Sequence, residues 1–534
     1  MRKRHLFSVA AVTAGLSTAA FAQTVSVDAT NGSPDNSTTF SSLMVAISSF
    51  QAGGAVTAAT DGSGVGVNHG NAAADVINIT SVDKIEEIVR IDDANTDLDE
   101  ALTINGPGAT SGHVAPSALA NAVVAPQDGG DGDAFLVNSD QDITVNNVTF
   151  IPAATTGAAD DLLVLRITGA GPNTLRFAGC VATFPTVGGA PVVNSKAEAL
   201  TDQKASIDDT AAGDDLVNIA AAENQALSVE FVDCVLSHGK STGDAIVEVA
   251  GSADATNHST ATRSQPFTLT LESTIISYIG RYGVQLAGDG DSSAGDNWNL
   301  VITGSNVGDG PVDAVGGPSM IFGCANHALI SFLGPATGTA NVDNLIIAGN
   351  ATRAWSGDSD LQEVSVSDAM YMQLDEDAGG ATVELAYVQD GWEGQVPHSF
   401  QRVTIVGESL WGDPIDTGTA PVNTFRDCIF AGNGGNPFGT LYSGNYVLDV
   451  DFSAVVEAGP NAALVGYTAN PGYTPGTNII TDDPQFASMD PLSADFLDVT
   501  NSAYATAGTG GSALSGGSDY SVASSVDNWF LIER

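Results

Sequence analysis

The chain has few cationic residues: 16 Lys and Arg stand against 63 Asp and Glu, giving a formal net charge of −47 at pH 7 over 534 residues. Lys and Arg are the residues that neutralise phosphate groups, so this composition excludes nucleic acids and anionic membranes as partners. Two roles for the acidic excess stay open. It can keep an extracellular protein in solution, or it can hold divalent cations such as calcium.

Long apolar runs are absent beyond the N-terminal segment. Residues 2–4 are basic, residues 6–20 are apolar or small, and Ala20-Phe21-Ala22 has the small-x-small pattern of a cleavage site. This pattern is typical of a secretory signal peptide. We therefore expect cleavage after Ala22 and a mature protein secreted to the extracellular space. No other run reaches the roughly 18 apolar residues that a membrane helix needs, so no membrane span is expected.

Glycine, by contrast, is abundant, with 60 residues, and 43% of the chain is hydrophobic. Short runs of alternating apolar residues lead to a small or acidic residue and then to Asn, Cys, Thr or Ser. The marked residues of eight such runs are Asn147, Cys180, Cys234, Thr274, Asn306, Asn350, Ser409 and Cys428. Their unequal spacing is typical of a parallel β-helix, in which strands stack in register while turns accept insertions. The sequence thus predicts an all-β, single-stranded parallel β-helix solenoid in which the marked residues form a column.

The ends of a solenoid must be covered, because they expose strand edges and core. Phe40, Leu43, Ile47 and Phe50 recur at helical spacing, which predicts an amphipathic capping helix at the N-terminal end. The predicted organisation is a signal peptide (1–22), an N-terminal segment with the capping helix (23–74), parallel β-helix coils with loop insertions (75–433), and C-terminal coils with a cap (434–534).

Particular runs carry a family resemblance. The order of helix, Asp75-Val-Ile-Asn-Ile-Thr80, Glu86-Glu-Ile-Val-Arg-Ile91 and Leu102-Thr-Ile-Asn-Gly106 resembles the start of the pectate-lyase-like superfamily of right-handed parallel β-helix proteins. Asp483-Pro-Gln-Phe486 and Asp495-Phe-Leu497 resemble an ending common in its bacterial members, although the Pro and Asp of the final motif are missing. The resemblance implies a right-handed solenoid. It implies no single activity, because the superfamily includes lyases, hydrolases, esterases, adhesins and phage tailspikes.

The chain has four cysteines and no Cys-x-x-Cys pair, which excludes a zinc site of that type. Cys180 and Cys234 occupy equivalent positions of the repeat. Adjacent strands lie about 4.8 Å apart, within the range of a disulfide. Parallel neighbours in register often meet the geometry of that bond poorly, so free buried thiols are the favoured expectation and a Cys180–Cys234 bridge is the alternative.

No complete catalytic motif is present. A lyase of the resembled superfamily would need calcium ligands and an Arg or Lys base, but Arg281, Arg353 and Lys240 lack an Arg-x-Pro-x-x-Arg setting. A polygalacturonase-type hydrolase would need clustered aspartates and Gly-His-Gly, which Ser237-His238-Gly239 matches only in part. No residue is therefore assigned a catalytic role.

Aromatic residues occur beside acids in the later part of the chain, a combination that suits neutral sugars through stacking and hydrogen bonds to hydroxyl groups. These side chains form either a glycan cleft or simple packing of loops on the solenoid. The predicted glycan-contact residues are Trp355, Asp358, Asp390, Trp392, Glu393, Trp411 and Asp413.

Two Gly-rich acidic segments place carboxylates at close intervals, as loops that bind hard cations require. Neither matches a complete EF-hand, so solvated acidic loops are the alternative. The predicted calcium ligands are Asp128, Asp131, Asp133, Asp289, Asp291 and Asp296.

Two function classes follow. The first is a secreted, non-catalytic extracellular surface, adhesive or matrix protein that calcium stabilises; the missing catalytic motifs favour it. The second is a carbohydrate-active enzyme, hydrolase or lyase, or a glycan-binding protein that uses the Trp and carboxylate residues. Its partner would be an extracellular polysaccharide or a cell-surface glycan.

Overall fold

A computed structural model shows a protein made mostly of parallel β-strands. The signal peptide predicted at 1–22 lies outside the described residues. The structure describes residues 24–28, 39–50, 75–81, 84–92, 98, 100–109, 116, 122–124, 133–152, 161–167, 173–208, 211, 215–221, 226–249, 266–287, 296–305, 316–325, 327–333, 336–348, 353–358, 363–372, 387–388, 398–406, 422–431, 447–456, 473–475 and 478–517.

The strands stack in three columns, here named faces 1, 2 and 3. Face 1 consists of Val89–Asp92, Phe135–Asn138, Leu163–Ile167, Val217–Ala221, Ile246–Val249, Val284–Ala287, His327–Leu333, Arg353–Asp358 and Tyr387–Val388. Face 2 consists of Thr24–Val27, Thr39–Phe40, Asp75–Ile79, Leu102–Asn105, Ile143–Asn146, Asn173–Ala178, Leu227–Val232, Phe267–Glu272, Asp296–Thr303, Val422–Arg426, Val447–Asp451 and Tyr473–Pro475. Face 3 consists of Ala122–Val124, Val148–Phe150, Val181–Thr183, Val235–Ser237, Ile275–Ser277, Ser319–Phe322, Ile429–Ala431, Ser453–Val456 and Ile479–Ile480. Three long strands, Ala336–Ala348, Glu363–Met372 and His398–Val406, run through faces 2 and 3 without a break.

Each strand pairs in parallel with the equivalent strand of the next coil, as expected for a parallel solenoid. Leu175 pairs with Val229 and Val229 with Leu269, so that apolar residues stack along the axis. Phe177 and Phe231 are both buried, and their rings stack with centroids 5.3 Å apart. Burial of each such side chain stabilises the fold by about 1.5–3 kcal/mol, which makes this column a main source of stability.

A residue with positive φ separates face 2 from face 3 in most coils; these residues are here named the bend column. It contains Asn147, Gly179, Asp233, Ser273, Asn344, Asp368, Arg402, Asp427 and Phe452, with φ between 46° and 62°. The left-handed conformation turns the chain within a single residue. Gly, Asn and Asp tolerate it best, which explains why the sequence shows small or acidic residues here.

In most coils the residue after the bend falls in a second column, here named the ladder column, whose polar members are Cys180, Cys234, Thr274, Ser319, Cys428 and Ser453. Asn147 does not belong to it. That residue lies one position earlier, in the bend column, because Asn tolerates a positive φ. Asn306, Asn350 and Ser409 lie outside the described residues. The register shows that these three assignments to the column were wrong, because the ladder positions of their coils are held by Ser319, Leu345 and Val403.

A short helix, α1, spans Leu43–Ser48. Ser42 caps it, because its side chain accepts a hydrogen bond from the Val45 N–H at 3.1 Å. Glu87 accepts a second bond, from the Met44 N–H, at 3.0 Å. The helix is shorter than the periodicity of residues 39–50 predicted, because Thr39–Phe40 form a strand instead. Its apolar side joins the core of the first coils.

Two segments cover the outer side of face 3. Residues 184–208, here named the cover segment, follow face 3 in one coil and contain the helix α2, Lys196–Ala199, and a 3₁₀ turn at Lys204–Ser206. Residues 481–517, the C-terminal segment, cover the last coils, where Val499, Tyr504 and Leu514 pack on Ile429 and Ala454. None of the helices in the described part of the chain is long and apolar enough to cross a membrane.

Candidate functional site

A group of buried polar side chains that bond to one another lies between face 3 and the cover segment. At one end of this interface, Lys196 of α2 reaches the bend column, and its Nζ lies 2.8 Å from Asp233 Oδ1. Both side chains are almost fully buried, with 3% and 4% exposed. The Gly316 N–H also donates to Asp233 Oδ1 at 2.7 Å, and the Gly316 carbonyl accepts from Lys196 Nζ at 2.9 Å. The pair is thus a satisfied structural ion pair.

A chain of hydroxyl groups and an imidazole lies at the other end of the interface. Ser277 Oγ donates to the Ala199 carbonyl at 2.5 Å and lies 2.7 Å from Ser237 Oγ. Ser237 Oγ lies 2.6 Å from His238 Nδ1. The Nε2 of His238 lies 3.2 Å from the Thr201 carbonyl oxygen. The chain therefore joins two coils of face 3 to the backbone of the cover segment.

The same interface keeps His238 neutral at pH 7. Burial lowers the pKa of His238 from its ordinary value to about 4; the Thr201 carbonyl and Asp202 act in the opposite direction, and Lys204 acts in the same direction as burial. The Tyr278 ring packs beside the imidazole, with centroids 5.0 Å apart. A neutral imidazole next to a serine hydroxyl resembles a nucleophile and its base. However, Ser237, His238 and Ser277 are fully buried, so no substrate reaches this pair while the cover segment is in place.

Face 1 contains a second polar column, made of aspartates that precede its strands. Asp161 Oδ1 accepts the Asp215 N–H at 3.2 Å, Asp215 Oδ1 accepts the Asp244 N–H at 2.7 Å, and Asp244 Oδ1 accepts the Tyr282 N–H at 2.9 Å. Each carboxylate thus satisfies a backbone donor of the next coil. Arg281 lies 3.6 Å from Asp244 Oδ2, so the candidate lyase base is part of this column.

The predicted calcium ligands are only partly within the described residues. Asp133 precedes the face 1 strand Phe135–Asn138 and is in register with Asp161. Asp296 begins the face 2 strand Asp296–Thr303, where it pairs with Ala336. Asp128, Asp131, Asp289 and Asp291 lie outside the described residues. Among the residues that the structure describes, no group of three or more His, Cys, Asp or Glu side chains is arranged to hold a metal ion.

The predicted glycan-contact residues are likewise only partly described. Trp355 and Asp358 lie in the face 1 strand Arg353–Asp358, in register with Leu329 and Leu333, and not in a turn. The remaining residues of this set, Asp390, Trp392, Glu393, Trp411 and Asp413, lie outside the described residues. The described residues thus place only the backbone of Trp355 and Asp358, and the glycan cleft stays a prediction.

The four cysteines are free and buried. This confirms the expectation that the sequence analysis favoured over a Cys180–Cys234 bridge. Burial raises the pKa of the Cys234 thiol well above its ordinary value, and the adjacent Cys180 adds to this effect. The Cys234 thiol therefore stays protonated at neutral pH and does not act as a nucleophile.

Sequence reasoning missed the cover segment and its ion pair. One signal for the segment was the 54-residue interval between Cys180 and Cys234, which is long for a single coil. Another was Ser195-Lys-Ala-Glu198, a capping box: Ser195 Oγ accepts the Glu198 N–H at 3.2 Å, and Glu198 Oε2 accepts the Asn194 N–H at 2.7 Å. These bonds define the start of α2.

Comparison with known proteins adds no relative, since neither a scan against protein-family models nor a search of curated proteins finds a match.

Proposed function

We propose that the chain is a secreted, right-handed parallel β-helix of the pectate-lyase-like type. The three stacked faces, with parallel pairing throughout the named strands, support the solenoid. The pattern of residues 1–22 supports export and cleavage after Ala22. In this proposal α1 is the N-terminal cap, because its buried residues Leu43 and Ile47 join the core beside the first face 2 strands.

The protein then acts as a non-catalytic extracellular surface, adhesive or matrix protein. The observation that carries this proposal is the burial of the Ser237–His238 pair, whose polar atoms are bonded to Ser277 and to the cover segment. Two other candidate bases also have described partners, since Arg281 lies 3.6 Å from Asp244 and Lys240 lies over the Phe184 ring. Side chains that could have acted as a nucleophile or a base thus make structural contacts instead.

Calcium is part of the proposal. With a net charge of −47, repulsion between carboxylates opposes the compact state, and bound divalent cations would reduce that repulsion. The expected ligands are those of the two acidic segments named above.

The test uses the mature chain from Gln23 to Arg534, in calcium and in a chelator. It combines a glycan array with assays for new reducing ends and for unsaturated uronates, on a panel of neutral and acidic polysaccharides. No turnover is expected on any of them. Turnover that Trp355→Ala abolishes while Trp298→Ala leaves it intact would contradict the proposal and establish the carbohydrate-active alternative.

A further inference from the structure

The hydrogen bonds around His238 define where its proton lies. The Ala199 carbonyl can only accept, so the Ser277 hydroxyl must donate to it at 2.5 Å. Ser277 Oγ then accepts from Ser237 at 2.7 Å, which uses the Ser237 proton. Ser237 Oγ must in turn accept from His238 Nδ1 at 2.6 Å. A neutral His238 therefore carries its proton on Nδ1 and leaves Nε2 as an acceptor.

The lone pair of Nε2 has a partner in the cover segment. The Gln203 N–H donates to His238 Nε2 at 3.3 Å. Protonation of Nε2 would place two donors against each other and leave the Gln203 N–H without its acceptor. The Thr201 carbonyl, 3.2 Å away, would gain a donor, but the imidazolium charge would then lie in a buried site. The closed cover segment thus disfavours protonation.

We propose that the cover segment is a proton-controlled clasp: uptake of a proton by His238 releases residues 199–204 from face 3, while Lys196 stays bound to Asp233. The two attachments differ in kind. The His238 end depends on an acceptor that acid removes, whereas the Lys196 end is a buried ion pair with a backbone N–H from Gly316. The released end uncovers the apolar outer side of face 3, which includes Val235 and Ile275.

The charged and titratable groups that face His238 come from each element packed against it. The cover segment contributes Asp202, which favours the imidazolium, and Lys204, which opposes it. The next coil contributes Tyr278, whose hydroxyl donates to the Leu200 carbonyl at 3.3 Å. In the coil of His238 itself, Lys240 is two residues further along the chain and lies over the Phe184 ring, 5.6 Å from its centroid.

The sign and size of the effect follow from proton linkage. The pKa of His238 is about 4 in the closed state and returns to about 6.5 when the segment opens. The open state therefore binds more protons between these values, and acid favours opening. Lowering the pH from about 7.5 to about 5 should raise the open fraction about thirtyfold.

Hydrogen exchange on the full mature chain tests the clasp. Protection of a peptide spanning residues 199–207, corrected for the intrinsic pH dependence of exchange, is compared with that of the face 2 strand Leu227–Val232. A fall of about thirtyfold in the 199–207 peptide between about pH 7.5 and 5, with the reference strand unchanged, is the expected result. Equal changes in both peptides, or none, would overturn the proposal.

Variants separate the clasp from general acid sensitivity. His238 has φ 57°, a conformation that Asn tolerates, so His238→Asn keeps the bend and cannot take up the proton. It should abolish the pH dependence, whereas Lys240→Gln should retain it. Ser277→Ala removes the bond to Ala199 and should lower the protection of the 199–207 peptide at every pH. A full response in His238→Asn, or unchanged protection in Ser277→Ala, would each refute the clasp.

Discussion

The thiol of Cys234 donates to the carbonyl oxygen of Phe177, 3.3 Å away in the preceding coil. Cys180 makes the same contact with the Val145 carbonyl at 3.3 Å, and Thr274 Oγ1 with the Phe231 carbonyl at 2.9 Å. Hydroxyls also receive bonds, since the Cys234 N–H donates to Thr274 Oγ1 at 3.3 Å. In these coils the ladder column is therefore a series of side-chain donors, each of which joins its coil to the preceding one.

Substitutions at Cys234 should separate the role of the donor from that of the thiol. Cys234→Thr keeps a donor of the kind found at Thr274, and we expect it to change the free energy of unfolding by less than about 1 kcal/mol. Cys234→Ala removes the donor and leaves a small cavity, and should cost about 1–3 kcal/mol. Denaturant titration followed by circular dichroism measures both. Equal losses would show that the hydrogen bond has no role.

The buried ion pair of the cover segment gives a second prediction. Lys196→Met leaves the Asp233 carboxylate buried without its cation and should cost about 3–5 kcal/mol, whereas Lys196→Met with Asp233→Asn should cost clearly less. Asn keeps the acceptor for the Gly316 N–H and tolerates the φ of 50° at this bend. Thermal unfolding of the two single variants and the double variant completes a double-mutant cycle, which gives the coupling free energy between Lys196 and Asp233. Additive losses would contradict the prediction.

The parallel stacking of coils was predictable, because each strand repeats the same alternation of apolar residues. The marked residues Cys180, Cys234 and Thr274 were placed in one column correctly, since each follows a small or acidic residue that fits the bend. Asn147 was placed wrongly by one position. Asn suits both a polar ladder and a left-handed bend, so residue type alone could not distinguish the two.

The interface around His238 was beyond sequence reasoning. Ser237 and Ser277 are 40 residues apart, and their contact depends on the register of successive coils. Stacked Asn side chains occur on face 2, away from the marked column: Asn105 Nδ2 donates to Asn78 Oδ1 at 3.0 Å. Interval lengths indicate where an insertion lies, but not which face it covers.

Phe452 offers a test of backbone strain in the bend column. Its φ is 46°, in a region that a bulky side chain rarely occupies. Phe452→Asn should therefore raise the free energy of unfolding by about 0.5–1 kcal/mol, because Asn adopts this conformation at lower cost. Asn344→Phe, at a half-buried bend with φ 55°, is the matched reverse change and should destabilise the protein. The midpoints of chemical unfolding of the two variants test this prediction. A lower stability of Phe452→Asn would show that packing of the ring outweighs the backbone strain.

Calcium should stabilise the protein more than magnesium does. A site with a micromolar dissociation constant at millimolar free ion adds about 4 kcal/mol, whereas simple screening acts alike for both ions at matched ionic strength. We expect a higher melting temperature in calcium, and we expect Asp131→Asn with Asp291→Asn to remove most of the difference.

The matched control for calcium is Asp140→Asn with Glu272→Gln, which removes the same charge from two exposed positions. It should lower repulsion and keep the difference between calcium and magnesium, since neither residue belongs to the acidic segments. Differential scanning calorimetry in each ion provides the measurement. Equal shifts in the two ions, or a full calcium effect in the Asp131 and Asp291 variant, would show that these carboxylates only solvate turns. The acidic excess would then act through solubility alone.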